Sequence, residues 1–172
     1  MVHLPSLQRS GVQRMKILAF DLGSTWACAS NGAQVGLGMN VMHEVLTGNR
    51  EQKLYGLLCS LHGLFDGSKE CPWDMVIYER PFTRGLAATR MLWGMAGVLE
   101  AVATHHGLPT LDVLPSTIKL WAAGKGTAGK EDMIAAAFML GYAAPNDHEA
   151  DAYCLLKYAE ANASVVTPKK GK

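Results

Sequence analysis

Two short apolar runs each end on a carboxylate. Lys16-Ile17-Leu18-Ala19-Phe20 leads into Asp21, and Asp74-Met75-Val76-Ile77-Tyr78 leads into Glu79. Further on, the run Asp147-His148-Glu149-Ala150-Asp151 carries an imidazole and a carboxylate three residues apart. On a helix that spacing puts His148 and Asp151 on one face. Oxygen donors with one imidazole suit a hard divalent cation such as Mg²⁺ or Mn²⁺. Gathered carboxylates repel one another, and a bound cation relieves that repulsion. Taken singly, each piece has an ordinary explanation. A strand-end Asp serves turns, and acids at a helix start favour the helix dipole. The conjunction is what points to a metal site. Asp147 competes with His148 for the ligand role, and the spacing to Asp151 favours His148.

A second cluster carries charge of the other sign. Gly124-Lys125-Gly126-Thr127-Ala128-Gly129-Lys130 is a glycine-rich loop whose lysines suit phosphate. It lacks the spacing of a nucleotide-binding P-loop. Between Arg80 and Lys130 the basic residues are Arg80, Arg84, Arg90, Lys119, Lys125 and Lys130, against Glu100 and Asp112. The whole chain has a net charge of only +1. A local basic surface still binds a phosphate backbone when the sum is near zero.

The elements that must position these residues follow from periodicity. Lys16 to Asp21 reads as a buried strand, Thr25 to Ser30 as a second, and Val35 to Met42 as a third after an Asn31-Gly32 hairpin turn. Glu51 to Phe65 has helical spacing of leucines, and Asp74 to Glu79 is a fourth strand. Ala87 to His106 is a long amphipathic helix closed by Gly107, and Leu111 to Leu114 is a strand stopped by Pro115. Ser116 is the expected N-cap of a short helix through Ala123. Helices follow from Lys130 to Gly141 and from Asp147 to Ala163. This is an α/β pattern with a mixed sheet, in which strand ends and helix starts converge at one edge.

The chain has 172 residues, 49% hydrophobic and 18% charged, which suits one globular domain. Residues 1–14 read as a flexible lead, 15–164 as the domain and 165–172 as a basic tail. No apolar run is expected to reach membrane-span length. Cys28, Cys59, Cys71 and Cys154 form no C-x-x-C pair, so they read as buried thiols in a reducing cytoplasm.

Four stretches together resemble the RuvC-type Holliday junction resolvases of the ribonuclease H-like fold. They are FDLGS at Phe20 to Ser24, IYERPF at Ile77 to Phe82, LPSTIKLWAAGKGTAGKEDM at Leu114 to Met133, and HEADAYCL at His148 to Leu155. The resemblance implies a mixed five-stranded sheet with helices on both faces. It implies a metal-dependent endonuclease that resolves Holliday junctions or related branched DNA to 5′-phosphate and 3′-hydroxyl ends. The family's metal ligands fall on Asp21, Glu79, His148 and Asp151, holding two Mg²⁺ ions that Mn²⁺ can replace. Its two catalytic lysines fall on Lys119 and Lys130. Phe82 matches an aromatic that stacks near the branch point, and Arg80, Arg84 and Lys125 are the further DNA contacts expected here. The family acts as a homodimer in the cytoplasm, of a bacterium or of a phage's host. Met91, Leu92, Met95, Val98, Leu99 and Val102 on the long helix offer an interface. Two other readings start from the same residues. Asp21 to Thr25 resembles the phosphate-binding turn of actin-like ATPases and sugar kinases, and a branched-DNA-binding module without catalysis would keep the same surface.

Overall fold

β1 (Ile17–Asp21) lies at the centre of the sheet and its residues alternate between two cores. Ile17 and Ala19 face one hydrophobic cluster, Leu18 and Phe20 the other. That is the pattern of a strand covered on both faces. In the computed structural model, which describes residues 14–35, 40–66, 71–82 and 85–162, the strand order is β3-β2-β1-β4-β5. β2 (Thr25–Ser30) and β3 (Val41–Val45) pair antiparallel, and β4 (Met75–Glu79) and β5 (Thr110–Val113) run parallel to β1. The mixed five-stranded sheet matches the sequence reading. Of the expected lead, residues 1–13 lie outside the described residues, as does the expected tail, while Arg14 is described and pairs with Glu160 at 2.8 Å.

Helices cover both faces. α1 (Arg50–Asp66) and α2 (Leu86–His105) bury Leu57, Leu61, Met95 and Leu99 against Leu18, Phe20, Trp26 and Val76. α3 (Pro115–Ala123), α4 (Lys130–Met139) and α5 (Asp147–Ala161) cover the other face. The contact between α5 and the sheet is built from small residues. Ala19, Ala27 and Ala29 meet Ala150, Ala152 and Cys154, all buried. Small side chains on both sides let the helix lie close to the strands. The start of α5 therefore comes within side-chain reach of the C-terminal end of β1.

Several expectations need correction. β3 begins at Val41 rather than Val35, and Asn31-Gly32 is not a two-residue turn. Asn31 bridges instead: its Oδ1 accepts from the Ile17 N–H at 2.6 Å, and its Nδ2 donates to Met15 O at 3.1 Å and Glu160 Oε1 at 2.9 Å. Ser116 does not cap α3. Leu114 occupies the N-cap and Pro115 the first turn, where its missing N–H costs nothing. The glycines after α3 serve the turn itself. Gly124 is left-handed at φ 74°, and a Cβ on Gly126 would stand 3.3 Å from Ser116 O.

α2 is, by length and composition, apolar enough to cross a membrane, which corrects the expectation that no stretch reaches that length. Its Met95, Ala96, Leu99, Val102 and Ala103 are buried in the sheet's cover. Three of the residues expected to meet a partner, Met95, Leu99 and Val102, are thus spent inside the fold. Leu86 and Trp93 stay exposed, at 76% and 49%.

Asn31→Ala removes three hydrogen bonds that tie β1, the entry to β1 and α5 together. It should lower stability by about 1–3 kcal/mol, read as a lower urea midpoint with unchanged slope. An unchanged midpoint would reduce Asn31 to a surface loop residue.

Candidate functional site

The C-terminal end of β1 and the start of α5 meet at one edge of the sheet. Asp21 follows Phe20, and Glu79 follows Tyr78; Phe20 and Tyr78 are paired neighbours on parallel strands. Both neighbours point into the α1/α2 cluster, so Asp21 and Glu79 point to the α5 face. α5 is capped by Asn146, whose Oδ1 accepts the Glu149 N–H at 2.9 Å. This cap sets the first helical turn, and the dipole favours the acids there.

His148 Nδ1 lies 2.9 Å from Asp21 Oδ2. The bond from Asp21 raises the His148 pKa above its usual value, against the opposing pull of burial. Asp151, one turn on, is half-buried beside it. Burial, then the charge of Asp21, push its pKa up to about 7, while Lys119 pulls it down. Its Oδ1 is buried with no hydrogen-bond partner. Glu79 is half-buried at the end of β4 and engaged with neighbouring groups.

The lysines divide by partner. Lys119, half-buried on α3, is close enough to act on Asp151. Lys130, at the start of α4, is 2.7 Å from Asp147 Oδ2. Burial pushes the Asp147 pKa upward, but the Lys130 bond and its own backbone N–H hold it below the usual carboxylate range. Asp147 and His148 thus turn to different partners, one to Lys130 and the other to Asp21. Lys125 is exposed and pairs with Asp132 at 2.9 Å.

Arg80 is bonded through Nε to Asp112 of β5, so its charge is already partnered. Phe82 is 63% exposed just beyond β4. Arg84 lies outside the described residues. Sequence reasoning missed the buried Glu149, next to His148, and its partners, the exposed His43 and the half-buried Tyr142. It also missed Asp112. These are contacts between distant segments, and no local spacing announces them.

As they stand, no three His, Cys, Asp or Glu side chains among the described residues form a group that could hold a metal ion. Asp21 and His148 are bonded to each other instead. The donor types nevertheless fit a hard cation. Three carboxylates and an imidazole come from three elements at one edge, and the orphaned Asp151 Oδ1 is a buried acceptor of the kind a cation satisfies.

The raised pKa of Asp151 has a consequence for stability. An unfolded aspartate titrates at about 3.9, below the folded value of about 7. Between those values the folded chain holds a proton that the unfolded chain has released. Stability therefore falls as pH rises through that window and stays reduced above it. Asp151→Asn should be more stable than wild type at pH 8, by roughly 1–3 kcal/mol after allowing for partial exposure. The gap should close below pH 4. Equal thermal midpoints at both pH values would contradict this account of the site.

No family model matches the chain. A search of curated proteins finds crossover junction endodeoxyribonucleases RuvC. That of Anaeromyxobacter sp. (strain K) is 36% identical over 95 residues, 54% of this chain and 51% of the relative. That of Anaeromyxobacter sp. (strain Fw109-5) is 37% identical over 91 residues, 52% of this chain and 42% of the relative. The chain thus spans about half the length of the curated relatives it matches. Among solved structures, Thermus thermophilus RuvC superposes with a TM-score of 0.65 at 19% identity, covering 87% of this chain and 96% of that one. T. thermophilus RuvC in complex with Holliday junction substrate gives 0.65 at 17% identity, covering 86% and 96%. At that identity the structures speak for the fold, which is ribonuclease H-like. The chain is thus similar to the RuvC-type resolvases in sequence over about half its length, and similar to them in fold over most of it.

Proposed function

We propose that the chain is a metal-dependent endonuclease that resolves four-way junctions or related branched DNA, leaving 5′-phosphate and 3′-hydroxyl ends. The observation that carries the reading is the charge crowded at the edge of the sheet. Burial and the charge of Asp21 raise the cost of ionising Asp151, and Asp151 Oδ1 has no hydrogen-bond partner. Evolution toward stability alone would not keep such a pair. A site for divalent cations gives it a use.

The ligands in this reading are Asp21, Glu79, His148 and Asp151, with room in the chemistry for two Mg²⁺ ions or for Mn²⁺. When bound, the cations supply activation of the attacking water and neutralise charge at the leaving oxygen. Asp21 must exchange its bond to His148 for this role. Lys119 sits beside Asp151 and balances charge near the scissile phosphate. Lys130, held by Asp147, stands at the same edge and would release that carboxylate on meeting phosphate. Lys125 and Phe82 are the exposed groups suited to backbone and base contact. Arg80 must first leave Asp112 to reach DNA, so it contributes less than a free arginine. Two symmetric cuts in a junction call for two sites, and a two-fold homodimer supplies them. The exposed Leu86 and Trp93 of α2 are the apolar groups available to such an interface. A cytoplasmic setting accompanies this reading.

Asp21→Asn tests it most simply. The variant should lose cutting of a labelled four-way junction in Mg²⁺ by at least about 100-fold while junction binding persists. On the same gels, Lys119→Ala and Lys130→Ala should slow cutting more than they weaken binding. Lys125→Ala should weaken binding and lower its salt slope by about one. Wild-type cutting by Asp21→Asn would refute the assignment, and ATP hydrolysis without DNA cutting would turn the reading toward the actin-like class.

A further inference from the structure

Glu149 takes no part in the chemistry above, yet it is a carboxylate only 6% exposed. Burying a charged carboxylate costs several kcal/mol unless it is partnered, and here both oxygens are. Oε1 lies 2.6 Å from His43 Nδ1, which donates to it. Oε2 accepts from the Tyr142 hydroxyl. Its backbone N–H donates to the Asn146 cap. Asn146 Nδ2 is also 3.4 Å from His43 Nδ1, but two N–H groups cannot bond each other, so that contact is packing alone. One side chain thus joins β3, the loop before α5 and the first turn of α5.

The sheet register gives this cluster its meaning. Asp21 is paired with Ala27, and Ala27 is paired with His43. The three residues form one row across β1, β2 and β3. Residues in such a row share a face, and Ala27 belongs to the cluster that α5 covers. Consecutive residues of α5 grip the two ends of this row: His148 holds Asp21, and Glu149 holds His43. The ends lie two strand spacings apart, roughly 10 Å. A single anchor leaves a helix free to rotate about its axis. Two anchors from adjacent residues, about 100° apart around the helix, fix both its rotation and its height above the sheet.

We propose that the Glu149–His43 pair is a clamp that sets the rotation of α5, and so holds His148 and Asp151 toward Asp21. Glu149 and His43 are then positioning residues. They touch no reacting atom and act through the helix that carries two site residues. The geometry stands by itself, and its consequence for cutting rests on the nuclease reading. Misplacement of reacting groups by about 1 Å costs about 100-fold in rate, so a clamp outside the site has leverage on it.

The test pairs a spectroscopic readout with a kinetic one. Long-range ¹H–¹⁵N correlation of the histidine rings reports which ring nitrogen of His148 is held, its signals assigned by their loss in His148→Gln. Glu149→Ala and His43→Ala, measured well below their melting temperatures, should move the His148 signals toward those of a freely averaging imidazole. They should also slow cutting of branched DNA by about 10- to 100-fold with DNA affinity retained. Glu149→Gln, which can still bond His43 and Tyr142, should restore most of both. His43 sits on an edge strand with its side chain 39% exposed, so His43→Ala keeps the question answerable if Glu149→Ala does not fold. Unchanged His148 signals in both variants would overturn the clamp. So would a loss of rate that follows only the fall in melting temperature and is not recovered by Glu149→Gln. If wild type cuts no branched DNA, the nuclease reading fails, and the ring spectra alone still decide the clamp.

Discussion

Asp21 and Asp151 are held where two negative charges are costly. Burial and the charge of Asp21 both penalise ionisation of Asp151, and water cannot reach its Oδ1. The surrounding architecture makes this arrangement persist. Alanines on both sides bring α5 down onto β1 and β2. Asn146 caps the helix at the position that aims His148 at Asp21. Lys119 offsets part of the charge from α3. The fold therefore spends stability at one edge of its sheet, and the two hydrophobic clusters on either face offset that cost.

The two faces of the sheet divide the work. The α5 face carries the ionisable groups of the candidate site: Glu149, His148 and Asp151 lie over the row that runs from Asp21 to His43. The α1/α2 face is a larger-residue core, built from Phe20, Trp26, Phe65, Met95 and Leu99. That face is a rigid backing. It keeps β1 and β4 in register, so that Asp21 and Glu79 leave the sheet side by side.

Much of this was legible in the sequence because it is local. Apolar runs ending in Asp21 and Glu79 announce buried strands with carboxylates at their exits, and both strands form. The three-residue spacing of His148 and Asp151 puts them on one helix face, and Asp21 is indeed their neighbour in space. What failed was also local. Asn31-Gly32 has the composition of a hairpin turn, but Asn31 is drawn into bonds with Ile17, Met15 and Glu160. Tertiary contacts overrode the dipeptide's preference. Ser116 is a good cap by type, yet Pro115 in the first turn puts the helix start two residues earlier, with Leu114 at the N-cap. The partners of Glu149, Arg80 and Lys130 could not be read at all. Each pair joins separate elements, and nothing in either segment alone names the other.

A divalent cation, if bound, would relieve the repulsion between the crowded carboxylates. Anomalous diffraction from crystals grown with Mn²⁺ at pH 8 asks that question directly. The account predicts manganese peaks between Asp21, Glu79 and Asp151, with the His148 ring turned from Asp21 to the ion. Crystals with manganese elsewhere, and His148 still bonded to Asp21 beside an unliganded Asp151, would contradict it.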